Sequence, residues 1–157
     1  MAPSTPAGRS ALSDLGLLLA RVALGVIFAA HGYQKVFQFG MPGVAESFSG
    51  MGVPFAQVAA PVVAYAELIG GVLLVLGAFT PIVGLVLTVD MLVAALLVHL
   101  PQGLFVDQGG WELVGALGAG ALALAAVGAG RYSADATVLG RRRSARGRAR
   151  SSAAAEV

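Results

Sequence analysis

At 157 residues the chain is short enough for a single domain, yet 57% of it is hydrophobic and only 11% charged, less than half the roughly 25% charged expected of a soluble domain. It contains no cysteine, which excludes disulfides, thiolate metal sites and dithiol redox chemistry within the chain. The net charge of +2 is unevenly divided: residues 1–130 hold Arg9, Arg21 and Lys35 against six acids, whereas residues 131–157 hold seven arginines against Asp135 and Glu156.

The apolar residues lie in long blocks rather than in helical or strand alternation, which predicts membrane spans. Residues 1–13 are small, polar and Pro-containing and are expected to form a disordered lead. Leu15 to Tyr33 is the first expected span, interrupted by Arg21. A signal peptide is excluded by that internal charge and by the lack of an A-x-A cleavage site. Residues 34–56 are rich in Gly, Phe and Met; Pro42 can open a short helix with Val44, Phe48 and Met51 on one face, which predicts an interfacial segment. Val58 to Phe79 is the second span, carrying Glu67, and Thr80-Pro81 reads as a tight turn. Ile82 to Leu100 is the third, with Asp90 near its middle and His99 near the end that Pro101 stops. Trp111 to Gly130 is the fourth. Each block matches a hydrocarbon core about 30 Å thick at about 1.5 Å per residue. The expected fold is therefore an all-α bundle of four transmembrane helices, with the membrane domain at 14–133 and a basic, disordered tail at 134–157.

Six arginines, Arg141 to Arg150, follow the fourth span closely. Such a run can bind nucleic acid, but beside a span it reads more simply as a topology signal or a contact with anionic lipid. The lipid bilayer is the expected partner and nucleic acid is not. The positive-inside rule puts the C-terminus in the cytoplasm, and an even number of spans puts the N-terminus there too. Small residues recur at spacings of four: Gly16, Ala20, Gly25 and Ala29 on the first span, Ala66 and Gly70 on the second, Gly115, Ala119 and Ala123 on the fourth. They predict close helix packing.

Ionisable groups within a bilayer need a partner or a purpose. By helical rise, Arg21, Asp90 and Glu67 lie about 10, 13 and 15–18 Å from the cytoplasmic side, which predicts one buried cluster with Arg21 facing one or both acids. With a single positive charge for two acids, one acid is expected to hold a proton. The cluster reads either as an ion pair fixing helix register or as a proton relay. A second polar set gathers at the outer end: His31 and Lys35 on one helix face, His99, Asp107 in the last loop, and Glu112 in the first turn of the fourth span. Convergence of donors and acids beside an apolar interior suits a small polar-headed molecule such as a quinone. Phe37, Phe39, Phe48 and Phe55 of the intervening segment are expected to cover it. A haem b held between His31 and His99 is the less favoured alternative. No phosphate loop, dinucleotide fingerprint, metal-ligand spacing or serine-nucleophile elbow is present.

Arg21 followed by HGYQK (His31 to Lys35), GVP (Gly52 to Pro54), AELIGG (Ala66 to Gly71), HLPQG (His99 to Gly103), GGWE (Gly109 to Glu112) and GAGRYSAD (Gly128 to Asp135) occur in order over about residues 12–136. Together they resemble the DoxX family. That resemblance implies a small four-helix bacterial inner-membrane protein, some of whose relatives serve membrane-associated oxidoreductase systems, including thiosulfate to quinone electron transfer and partnership with soluble enzymes of redox homeostasis. It carries over Arg21, His31, Lys35, Glu67, His99 and Glu112; Asp90 lies outside the family pattern. The expected role is a membrane subunit or partner of a redox system, with a proton-coupled transporter and a non-catalytic scaffold as alternatives.

Overall fold

The computed structural model describes residues 10–138. Ser10 opens the first helix, its hydroxyl accepting from the Ser13 amide at 3.2 Å, and α1 runs Ala11–Tyr33. A π-helical stretch, Gln34–Phe39, continues it. Gly40, at φ 71°, then turns the chain into α2, Gly40–Gly50. Next come α3, Ala56–Leu76, and α4, Thr80–Ala94, which a second π-helical stretch, Ala95–His99, extends. Short 3-10 turns lead to α5, Glu112–Val127. Among the described residues there is no strand.

Three boundaries differ from the sequence expectation. The first helix starts at Ala11, inside the expected lead. Thr80 and Pro81 are not the turn but the first residues of α4, because proline's missing N–H costs nothing there; the turn is Gly77 to Phe79. Residues 134–138 of the expected tail are helical. Residues 1–9 and 139–157, including the arginine run, lie outside the described residues.

Four long helices form an antiparallel ring in the order α1, α3, α4, α5. Their register is set where backbones touch. A Cβ at Gly25 would fall 2.7 Å from the Gly71 carbonyl oxygen, and one at Gly84 would fall 2.7 Å from that of Ala121. Gly32 likewise has no room beside Leu68. The α5 helix returns beside α1, where Leu24 packs on Gly120. The contact faces are thus Gly25, Ala29 and Gly32 on α1 and Ala121 and Ala125 on α5. Gly16 touches nothing, and Ala20, Ala119 and Ala123 are exposed. A spacing of four identifies a helix face without saying which face meets a neighbour. Phe28, Leu74, Leu87, Met91, Leu117 and Leu124 fill the interior.

The polarity is inverted relative to a soluble protein. Ile69 and Val62 are 55% and 62% exposed, while Arg21 and Glu67 are 1% and 4% exposed. Three helical stretches, Ala11–Gly50, Ala56–Leu76 and Thr80–Gln102, are long and apolar enough to cross a membrane, and Glu112–Val127 is a shorter apolar helix. An apolar exterior around a core of helices, each satisfying its own backbone, is what a bilayer demands. The chain is a multi-pass membrane protein.

Candidate functional site

The expected cluster of Arg21, Glu67 and Asp90 does not form; Arg21 separates from the two acids. Its guanidinium donates from Nη1 to the carbonyls of Leu74 at 3.1 Å and Val75 at 2.8 Å, and from Nη2 to the Tyr132 carbonyl. The reason is helix register. With Gly25 against Gly71, Arg21 lies level with the last turn of α3, and Glu67 is seven residues, about 10 Å, further along that helix. Depth counted from each helix end had ignored that α1 starts beyond the end of α3. The last carbonyls of α3 have no intrahelical donors and carry the negative end of the helix dipole, so a cation is stabilised there. Gly77, at φ 66°, closes this turn with the Ala78 amide on Leu73 O and its own amide on Leu74 O, both at 3.0 Å.

The adjoining N-terminus of α4 receives the opposite charge. Asp135 accepts from the amides of Phe79 at 2.8 Å and Thr80 at 2.9 Å, while its own amide donates to the Gly77 carbonyl at 2.9 Å. The GAGRYSAD segment is therefore a clasp: one turn between two helices is held by Arg21 from α1 and by Asp135 from beyond α5. Asp14, buried in the first turn of α1, accepts from the Arg131 amide at 3.1 Å and fastens the same segment. Sequence reasoning missed Asp135 because its two partners are backbone amides more than fifty residues away.

The acids belong to the other end. Glu67 pairs with Lys35. Their side chains are 5% and 19% exposed. Lys35 sits on the π-helical stretch that follows α1. Asp90, one turn before the second π-helical stretch, interacts electrostatically with both members of the pair. Its Oδ2 is buried and has no hydrogen-bond partner among the described residues. These three groups border a cavity of about 350 Å³ between α1, α3, α4 and α5. His31 and His99 border it too. The walls are otherwise apolar, with Phe28 and Met91 from the core and Leu97 and Leu113 toward the loops. π-Helical turns are frequent at functional sites because they displace side chains from the regular helical face; here each of the two carries a polar group of this cavity.

The remaining expected lining residues lie elsewhere. Glu112 does not line the cavity; its Oε1 accepts from the Val106 amide at 2.7 Å and braces the last loop. Asp107 is exposed on a 3-10 turn of that loop. His99 is partly engaged in the same bracing: its Nδ1 donates to the Gly109 carbonyl at 2.6 Å, which leaves Nε2 as an acceptor. His31 is exposed and also borders a shallow outer cleft with Tyr33 and Gln34. Of the four phenylalanines expected as a cover, Phe48 alone lines the cavity, joined by Met51 and Val53. Phe37, Phe39 and Phe55 face outward. Phe48 is held because α2 anchors Val44 and Ala45 against Ala60 of α3. The described residues contain no group of three or more acids or histidines able to hold a metal ion.

Comparison with known proteins agrees with this architecture. The chain is 42% identical over 87 residues to the Bacillus subtilis (strain 168) protein named Putative oxidoreductase CatD, a match covering 55% of this chain and 62% of that protein. The chain thus spans less than two thirds of the length of that relative. No solved structure matches. The DoxX family model matches residues 16–100, a stretch that runs from the first helix through the clasped turn to both π-helical stretches, and the chain belongs to the DoxX family.

Proposed function

We propose that this protein is a subunit or partner of a membrane-associated redox system in the bacterial inner membrane, and that its cavity holds a quinone or a similar small apolar molecule with a polar head. The observation that carries the reading is the cavity itself. Among the described residues, Lys35, Glu67 and Asp90 are its only charged ones, set within walls that are otherwise almost wholly apolar. At about 350 Å³ it falls at the lower end of the roughly 300–1,000 Å³ of small-molecule sites, room for a single ring with its tail leaving toward lipid. The residues fit such a group. Lys35 supplies a donor for a ring oxygen, Asp90 supplies an acceptor or proton carrier near it, and His99 Nε2 supplies a further acceptor about 13 Å farther along the same helical stretch. A quinone, when bound, supplies the electron-accepting chemistry; the chain orients it, keeps water out beneath Phe48 and Met51, and holds protons beside it. The oxidoreductase name of the Bacillus subtilis relative is consistent with this reading.

In the bilayer, α5 serves as the fourth span. Its 16 residues reach about 24 Å, and the clasp ties its far end to α1 and α4. Both termini then face the cytoplasm and the cavity opens toward the outer side.

The reading is tested on protein purified in mild detergent, with short-chain ubiquinone and menaquinone analogues as ligands. A saturable rise in Tm with at least one of them is expected, and its loss in the Lys35→Met/Glu67→Leu double variant. No shift with either analogue would replace the reading with that of a scaffold for other enzymes.

A further inference from the structure

The three charged groups of the cavity are not equivalent. Lys35 and Glu67 satisfy one another. Asp90 does not share in that bond, and its Oδ2 is buried with no donor among the described residues. A buried polar atom left unpaired costs free energy comparable to a lost hydrogen bond or more. Nothing in the packing requires a carboxyl at this position: α4 meets α5 through Gly84 and Met91 and meets α3 through Leu87. A leucine there would remove the unpaired atom at little cost in shape. Asp90 is only half-buried and lines the cavity, so rotation about its terminal carboxyl bond brings the unpaired oxygen to the one place where an incoming molecule can supply what the chain does not.

Building on the proposed site, we infer that Asp90 is its specificity-determining residue, and that the preferred ligand is a neutral apolar ring bearing a hydroxyl that donates to the Asp90 carboxylate. The hydroxyl is singled out by donor and acceptor arithmetic. A carbonyl oxygen only accepts, so a carboxylate repels it. A hydroxyl donates to a carboxylate and also accepts from a carboxylic acid, and so pairs with Asp90 in either protonation state. The quinol form of a quinone meets this description, as does a hydroxylated aromatic of similar size. A ligand anion would be repelled by Glu67 and Asp90, and the apolar walls make desolvating a cation costly, which leaves neutral molecules. The apolar walls set by Phe28, Met91 and Leu113 favour a ring over a sugar or an amino acid.

The test compares a 2-alkylhydroquinone, kept reduced, with its dimethyl ether and with the corresponding quinone. Binding to wild type, Asp90→Leu and Asp90→Asn is measured by isothermal titration and by Tm shift in detergent. In wild type the hydroquinone is expected to bind about tenfold more tightly than the ether, the contribution of one well-formed hydrogen bond. The difference should collapse in Asp90→Leu and persist in part in Asp90→Asn, whose amide oxygen still accepts. Without ligand, Asp90→Leu should have a Tm equal to or above that of wild type, since the carboxyl serves the ligand rather than the fold. A lower Tm for that variant would make Asp90 structural and overturn the inference. Equal binding of hydroquinone and ether by wild type would overturn it while leaving the quinone site standing. Binding of none of the three compounds would overturn the site and the inference together.

Discussion

Lys35 comes from a π-helical turn and Glu67 from the middle of α3, and each is the other's only charged bonding partner. Glu67 is only 4% exposed, so removal of Lys35 strands a buried carboxylate. Breaking a buried pair in this way costs about 3–5 kcal/mol, whereas replacing both members with apolar groups of similar volume is often neutral. Glu67→Ala and Lys35→Met should each lower stability markedly, and Lys35→Met/Glu67→Leu should recover most of the loss. Thermal unfolding in detergent of the four proteins of this cycle measures it; additive effects of the two single changes would show that the pair is not coupled. Arg21 takes no part in that cycle, since its bonds go to carbonyls at the other end of the bundle.

The turn between α3 and α4 is a short element held by distant ones. Phe79 itself adopts φ 52°, a left-handed conformation that a bulky residue disfavours, and its own amide and that of Thr80 are held by Asp135. Loss of a carboxylate cap of this kind costs about 0.5–2 kcal/mol, with the helix dipole adding a few tenths when the charge goes. Asp135→Ala should therefore lower Tm clearly, and Asp135→Asn should lower it less because the amide oxygen still accepts. Backbone exchange at Phe79 and Thr80 should rise in the alanine variant. Unchanged exchange there would mean the clasp contributes nothing to the turn.

Across the whole molecule, the apolar exterior orients the bundle only once the ends are assigned. In the proposed orientation the arginines beyond residue 140 mark the cytoplasmic side and the polar cavity faces outward. Alkaline phosphatase fused after Val157 should be inactive and alkaline phosphatase fused near Asp107 active. The opposite pattern would invert the orientation and place the cavity on the cytoplasmic side.

Composition and block length were enough to read a multi-pass helical membrane protein from the sequence, because a bilayer imposes about 20 apolar residues per crossing whatever those residues later touch. The loop-end convergence of His31, Lys35 and His99 was legible for a related reason: antiparallel helices of equal length bring their ends together. The tertiary structure alone decided the pairing. Helical rise alone puts Arg21 and Glu67 in one broad layer, yet the glycine contacts of α1 on α3 offset the two helices and give Glu67 to Lys35, which a π-helical turn brings within reach. Glu112 and Asp135 went to backbone amides, partners that every residue possesses and that no side-chain pattern announces. Helical periodicity records which residues share a face; the axial offset between helices, set by where two backbones can touch, determines which charges meet.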